Sequence, residues 1–205
     1  MAYSHDVFIS YRRDTFRDEW LIDHFIPIFK SFVKEAITAE ADRDPDTIFF
    51  DQTELDDSIR VFDLKGIEPG QNWQNALEEA IKTSRCVVTL WSPQYFRSKW
   101  CNIEWRSFRE RGIPLNLDLV VPVTVFDGEK FPADAKVPQL ASLNDYVIGG
   151  AGFKLTADYV KFTQKVKKLA LRVGKVVASA PPFAAWPISA WGAPSSDPEV
   201  KQPRL

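Results

Sequence analysis

The residues best equipped for chemistry are Ser98-Lys99-Trp100-Cys101-Asn102-Ile103-Glu104, which set a carboxylate among apolar and aromatic neighbours just after an apolar run. If Ser98 caps a helix reaching about Gly112, then Cys101, Glu104, Trp105 and Phe108 share its inward face, because positions three and four apart are neighbours on a helix. Glu104 is then only partly solvated. Such a carboxylate either pairs with a cation as plain structure or has its ionisation and position set for chemistry. Arg12 and Arg13 form the second charged feature. Each offers a planar fork for phosphate or carboxylate, or else closes an ion pair with Glu104, Asp14 or Asp51. A single glutamate flanked by aromatics suits a glycosidic bond whose cleavage builds positive charge on a ribose, since a fixed anion acts strongly on that charge in a dry cleft.

The elements that must position these groups follow from the hydrophobic pattern. Asp6-Val7-Phe8-Ile9-Ser10-Tyr11 reads as a buried strand that gives way to a polar loop at Arg12-Arg13-Asp14. Residues 18–41 have helical spacing, with Pro27 a kink, and Thr47-Ile48-Phe49-Phe50-Asp51 is a second strand. A long acid-rich connection over 52–70 ends at Glu68-Pro69-Gly70, and a helix follows over 73–82 with Trp73, Leu77, Ala80 and Ile81 on one side. Residues 85–91 form a third strand closed by Ser92-Pro93. After the Glu104 helix, residues 119–126 form a fourth, in which Pro122 argues for a strand start or an irregularity. Asp145-Tyr146-Val147-Ile148 is a weak fifth strand, and residues 159–177 form a last helix with a lysine-rich solvated face.

This alternation predicts an α/β fold with a five-stranded, mainly parallel sheet in the order 2-1-3-4-5 and helices on both faces. In that order the crevice opens beyond the carboxyl ends of the first and third strands, placing the double arginine opposite Trp100 and Glu104. A domain boundary is expected near Ser179. It separates a domain over 1–179 from a proline-rich tail over 180–205, whose Trp186 and Trp191 either bind a partner or pack back on the domain.

Composition narrows the function classes. A chain of 205 residues with 45% hydrophobic content supports one well-packed core, and a formal net charge of −2 gives no basic field for nucleic acid. Two cysteines provide neither a disulfide framework nor a zinc spacing, the N-terminus has no basic and apolar leader, and no apolar run reaches membrane-spanning length, so a cytoplasmic protein is expected. His5, at a strand edge, and His24, on a helix surface, are too isolated for a metal site. Neither glycine-rich phosphate cradle is present, and Ser92 and Ser98 lack a histidine partner for nucleophilic catalysis.

Four segments in this order and spacing resemble the Toll/interleukin-1 receptor (TIR) domain family, the bacterial NAD-cleaving type above all. They are Asp6-Val7-Phe8-Ile9-Ser10-Tyr11-Arg12-Arg13, Ile48-Phe49-Phe50-Asp51, Ile67-Glu68-Pro69-Gly70-Gln71-Asn72-Trp73, and Leu90-Trp91-Ser92-Pro93-Gln94-Tyr95-Phe96 continuing through Ser98 to Glu104. The resemblance implies a flavodoxin-like sheet, and cleavage of the nicotinamide–ribose bond of NAD to ADP-ribose or a cyclic isomer, as NAD glycohydrolase or ADP-ribosyl cyclase. NAD is then the substrate, with no cofactor. Glu104 corresponds to the family's catalytic glutamate. Trp100 lines the cleft, Phe49 forms an aromatic wall, and Ser10, Arg12 and Arg13 lie along the ribose and phosphates. The resemblance further implies self-association through TIR–TIR contacts and a role in antiphage defence, by depleting NAD or by signalling to an effector or operon partner. The 52–70 connection departs from the pattern in its length and in its acidic cluster of Glu54, Asp56 and Asp57. Two rivals remain: a non-catalytic TIR adaptor or host-signalling mimic acting through homotypic contacts, and an unrelated phosphate receiver, which lacks its expected aspartates and lysine.

Overall fold

The computed structural model describes residues 3–12, 15–41, 73–129, 131–135 and 141–188. Its centre is β1 (His5–Tyr11), which pairs in parallel with β2 (Ser84–Trp91), followed by β3 (Val120–Thr124) and β4 (Ala141–Ser142) in the order β1-β2-β3-β4. In the numbering that counts 47–51 as second, these are the first, third, fourth and fifth strands in the expected order. The 47–51 strand, the 52–70 connection and its acidic cluster lie outside the described residues.

β1 faces two ways. Val7 and Ile9 enter the core beneath α2 (Ile26–Ala41) and α6 (Ala157–Ala178), while Phe8 joins Leu77 and Ile81 of α3 (Trp73–Thr83) and Phe108 of α5 (Lys99–Gly112) on the other side. Strand alternation therefore turns Ser10 toward α5 and Tyr11 toward α2. Leu77, Ala80 and Ile81 are buried as their spacing predicts; the side chain of Trp73 lies outside the described residues.

Three local expectations are corrected. The last strand is Ala141–Ser142, and the expected 145–148 segment instead begins within a 3-10 turn, Asn144–Tyr146. The Leu143 N–H donates to Thr124 O at 2.8 Å, and the Tyr146 N–H then folds back to Leu143 O at 2.9 Å, which ends the ladder. Pro122 sits within β3, not at its start. Leu119 O accepts from Val87 N–H and Val125 N–H donates to Trp91 O, so odd-numbered β3 residues bond β2 and even-numbered ones face β4. The described pairing with β4 begins opposite Val123, so among the described residues no ladder bond is lost to the missing N–H of Pro122.

The third correction concerns His24. The expected single helix over 18–41 is α1 (Thr15–Trp20), a π segment (Leu21–Phe25) and α2, with the Ile26 N–H reaching back to Leu21 O. Pro27 lacks an N–H and its ring would strike the carbonyl four residues earlier, so a widened turn relieves the kink. The extra residue rotates His24 from the helix surface into the core, edge-on to Phe153 and Tyr159. Burial lowers its pKa, Lys154 adding to the effect.

Thr156 caps α6, its hydroxyl accepting from the Tyr159 N–H, and the helix buries Phe162, Val166, Leu169, Val173 and Val177 while its lysines face solvent. Beyond it, the Tyr3 hydroxyl donates to Pro181 O at 3.0 Å and accepts from Trp186 Nε1 at 3.3 Å, and Phe183 meets the Tyr3 ring edge-on. Residues 181–188 thus lie back against the domain, whereas Trp191 is outside the described residues. No helix among the described residues is long and apolar enough to cross a membrane.

α2 and α6 approach closely at Gly174, where a Cβ would stand 2.8 Å from the Ala36 carbonyl oxygen and 2.9 Å from its Cβ. Gly174→Ala gains about 1 kcal/mol of helix propensity, but overpacking of this kind costs about 1–3 kcal/mol. We expect net destabilisation of about 1 kcal/mol in urea unfolding; a midpoint at or above that of the wild type would show that the two helices separate freely.

Candidate functional site

Two short structural devices bring Glu104 beneath the carboxyl end of β1. Ser92 caps α4 (Pro93–Arg97) by accepting from the Tyr95 N–H at 3.2 Å, with Pro93 supplying a preset first turn. Ser98 then caps α5 by accepting from the Cys101 N–H at 3.4 Å, as its place in the sequence predicts. Asn102 joins the two helices through Nδ2, which donates to Phe96 O and Ser98 O at 2.8 Å each, and its Oδ1 accepts from Trp105 Nε1 at 3.3 Å. Behind this corner Trp91, Tyr95, Phe96, Trp105 and Phe131 form an aromatic wedge that fixes the angle of α5.

Cys101, Glu104, Trp105 and Phe108 are all buried on the inward face of α5. Glu104 is 8% exposed, and its Oε2 accepts from Ser10 Oγ at 2.5 Å. Ser10 Oγ also lies 2.6 Å from the Tyr95 hydroxyl, which donates to Cys101 O at 3.1 Å. The Cys101 thiol points to Tyr11 O at 3.6 Å. Thr89, the β2 partner of Ser10 in register, presents to the same side a buried hydroxyl with no hydrogen-bond partner among the described residues.

No cation among the described residues pairs with Glu104. Burial pushes its carboxyl up to about 7, and the Ser10 hydroxyl offsets only part of that rise. Burial, together with the charge of Glu104, also raises Cys101 and Tyr95 above their ordinary values, so both stay neutral at neutral pH. The carboxyl is therefore divided between its charged and neutral forms near pH 7, the condition a general acid or base needs.

The remaining expected site residues have mixed positions. Trp100, one turn before Glu104, is half-buried against the cluster containing Phe8 and Phe108. Arg12 is exposed at the end of β1 and forms no ion pair with Glu104. It borders a small cavity with Tyr11, Trp20, Leu21, Leu90 and Val125 on the α2 side of the sheet, although its charge still bears on the Cys101 thiol. Arg13 and Phe49 lie outside the described residues. Tyr95, which completes the cluster, was not among the expected site residues; its sequence signal is the Ser92-Pro93 cap that turns the third residue of a helix inward.

The raised carboxyl has a stability consequence of definite sign. The folded protein holds the Glu104 proton more tightly than the unfolded chain, so its contribution is full below about pH 4.5 and is lost as pH rises to about 7. That loss is on the order of 3 kcal/mol, from about 1.4 kcal/mol per pH unit. Glu104→Gln removes this decline, so in urea unfolding at pH 8 the variant should exceed the wild type by about 2 kcal/mol and match it more closely at pH 4.5. Parallel curves for the two proteins across that range would show that the carboxyl is not desolvated.

The geometry agrees with a comparison at the sequence level. A family model described as TIR domain matches residues 52–151, a span that contains α3, β2, α4, α5 and β3 and with them Glu104, Trp100 and Tyr95. No curated protein matches the chain.

Proposed function

We propose that this chain, which belongs to the TIR domain family, is an NAD-cleaving enzyme whose catalytic carboxylate is Glu104. The observation that carries this reading is a buried glutamate beneath the carboxyl end of β1, with one hydroxyl donor and no protein cation beside it among the described residues. Ligand sites of open parallel sheets lie at that end of the strands. In the proposed reaction the bond between ribose C1′ and the nicotinamide nitrogen breaks, its electron pair goes to the nicotinamide ring, and positive charge develops on the ribose. The Glu104 carboxylate faces that charge and accepts from a ribose hydroxyl. Water or an adenine nitrogen then captures C1′, giving ADP-ribose or a cyclic isomer.

The other residues take supporting parts. Trp100 stands on the same helix face one turn earlier and is assigned to stack on nicotinamide or adenine, with Phe49 as a second aromatic wall. Arg12 and Arg13 are assigned to the phosphates. Ser10, only 1% exposed, acts on the ribose through Glu104 and not by direct contact. TIR domains commonly self-associate, and assembly is the natural route to completing the site. A cytoplasmic role in antiphage defence, by NAD depletion or by a product read by a downstream effector, fits the resemblance to bacterial members.

The test is chromatography with mass detection of NAD incubated with concentrated wild-type protein and with Glu104→Ala under conditions that promote assembly. Nicotinamide release should fall at least about 100-fold in the variant, the scale expected for loss of a preorganised electrostatic partner. The mass of the co-product separates ADP-ribose from a cyclic isomer. Absence of turnover in wild-type protein shown to be assembled would overturn the enzymatic reading in favour of a non-catalytic adaptor.

A further inference from the structure

The contacts beneath β1 form a single file: Glu104 Oε2 to Ser10 Oγ at 2.5 Å, Ser10 Oγ to the Tyr95 hydroxyl at 2.6 Å, and that hydroxyl to Cys101 O at 3.1 Å. Ser10 and Tyr95 are 1% and 0% exposed, so solvent is not the partner that completes their hydrogen bonding. Counting protons along the file distinguishes its two states. An ionised carboxylate only accepts, so Ser10 must donate to it. The one Tyr95 proton then goes either to Ser10 or to the Cys101 carbonyl, leaving one of three contacts without a proton. A neutral Glu104 donates to Ser10, Ser10 to Tyr95, and Tyr95 to Cys101 O. Three protons then serve three contacts; the Ser10–Glu104 contact has reversed, and the Ser10–Tyr95 contact either has reversed or has gained the proton it lacked. No heavy atom need move between the two arrangements.

We propose that Ser10 and Tyr95 form a reversible hydroxyl relay that holds the Glu104 carboxyl in one place through both of its protonation states, with Tyr95 acting as a positioning residue. The catalytic consequence rests on the reading of Glu104 given above, whereas the relay itself is a property of the hydrogen bonds. The titratable groups facing the carboxyl among the described residues are Tyr95 from α4 and Cys101 from α5 itself. Arg12 at the end of β1 acts on Cys101, and β2 contributes only the Thr89 hydroxyl. Burial keeps Tyr95 and Cys101 neutral, so a proton change near neutrality in this cluster belongs to Glu104.

The relay makes opposite predictions for its two members. Tyr95→Phe removes two contacts from the neutral arrangement and one from the ionised arrangement, so the carboxyl should titrate lower by about one pH unit, the equivalent of one hydrogen bond. Ser10→Ala also removes two contacts from the neutral arrangement and one from the ionised arrangement, but that one is the charge-assisted bond to the carboxylate, and leaving a buried anion without its donor costs more than leaving neutral groups unpaired, so the carboxyl should titrate higher, by less than about one pH unit. Ser10→Thr, which keeps the hydroxyl, should restore the wild-type value. The measurement is carbon-13 NMR titration of the full chain labelled at glutamate Cδ, with the Glu104 resonance assigned by its loss in Glu104→Gln.

Shifts of opposite sign for Tyr95→Phe and Ser10→Ala would support the relay. Shifts of the same sign, or none, would overturn it. If Tyr95→Phe does not fold, the contrast between Ser10→Ala and Ser10→Thr decides, since equal titration of those two overturns the proposal. If the wild type turns over NAD, the acidic limb of its rate profile should move with the same signs and kcat should change more than KM. If it does not, the enzymatic reading fails and the NMR titration still decides the relay.

Discussion

The constraint on which the site depends is the burial of one carboxyl group without a counterion among the described residues. Comparison with the other buried charges makes this plain. Asp6, fully buried at the start of β1, pairs with Arg85 at 3.0 Å, and Arg85 also stacks over Tyr3. Arg111, 3% exposed, donates to Ser84 O and Ile81 O at 2.7 Å each and lies between the rings of Phe108 and Trp186. Burial lowers its pKa only to about 10, so it remains a cation at neutral pH. Each of these charges meets an opposite charge or backbone dipoles that oppose it. Among the described residues Glu104 has one serine hydroxyl.

The two poles of the sheet are consequently built for different tasks. At the amino ends of the strands, Arg111 donates to the carbonyls where α3 runs into β2, Asp6 and Arg85 brace β1 against β2, and Tyr3 and Trp186 fasten residues 181–188 over that pole. At the carboxyl ends the chain turns sharply through two capped helices, and the aromatic wedge of Trp91, Tyr95, Phe96, Trp105 and Phe131 holds α5 against β1. An uncompensated carboxyl stays in place only where the surroundings cannot relax around it or admit water. The close packing of α2 on α6 on the far side of the sheet provides the stability that this arrangement draws on.

Much of this was legible in the sequence because it depends on local spacing. Ser98, followed by apolar residues at helical intervals, specifies both the start and the buried face of α5, and the runs 6–11 and 85–91 specify the strands on either side of the site. The features that were not legible depend on long-range register. The contact of Ser10 with Tyr95 joins residues 85 positions apart, and that with Glu104 residues 94 apart. Pro122 sits within β3 where the described pairing with β4 begins only at Val123, which is a property of the neighbour and not of the proline. His24 has surface spacing only if the helix is regular, and the π segment before Pro27 shifts it inward. The opposition of Arg12 and Glu104 followed from strand order alone; Arg12 is exposed just past β1 whereas Glu104 is buried.

The uncompensated carboxyl also bears on what the site is built to meet. Holding the anion at neutral pH costs the fold on the order of 3 kcal/mol, from a rise in pKa to about 7. Two unit charges about 4 Å apart interact by roughly 4 kcal/mol at an effective dielectric constant near 20, so one cation delivered to the carboxylate is enough to reverse that cost. A protein cation placed there permanently would stabilise the fold but would also neutralise the field before a substrate arrived. On the NAD-cleaving reading proposed above, leaving the position free of a cation among the described residues would concentrate the same interaction on the positive charge that develops as the glycosidic bond breaks, which accelerates reaction instead of tightening ground-state binding.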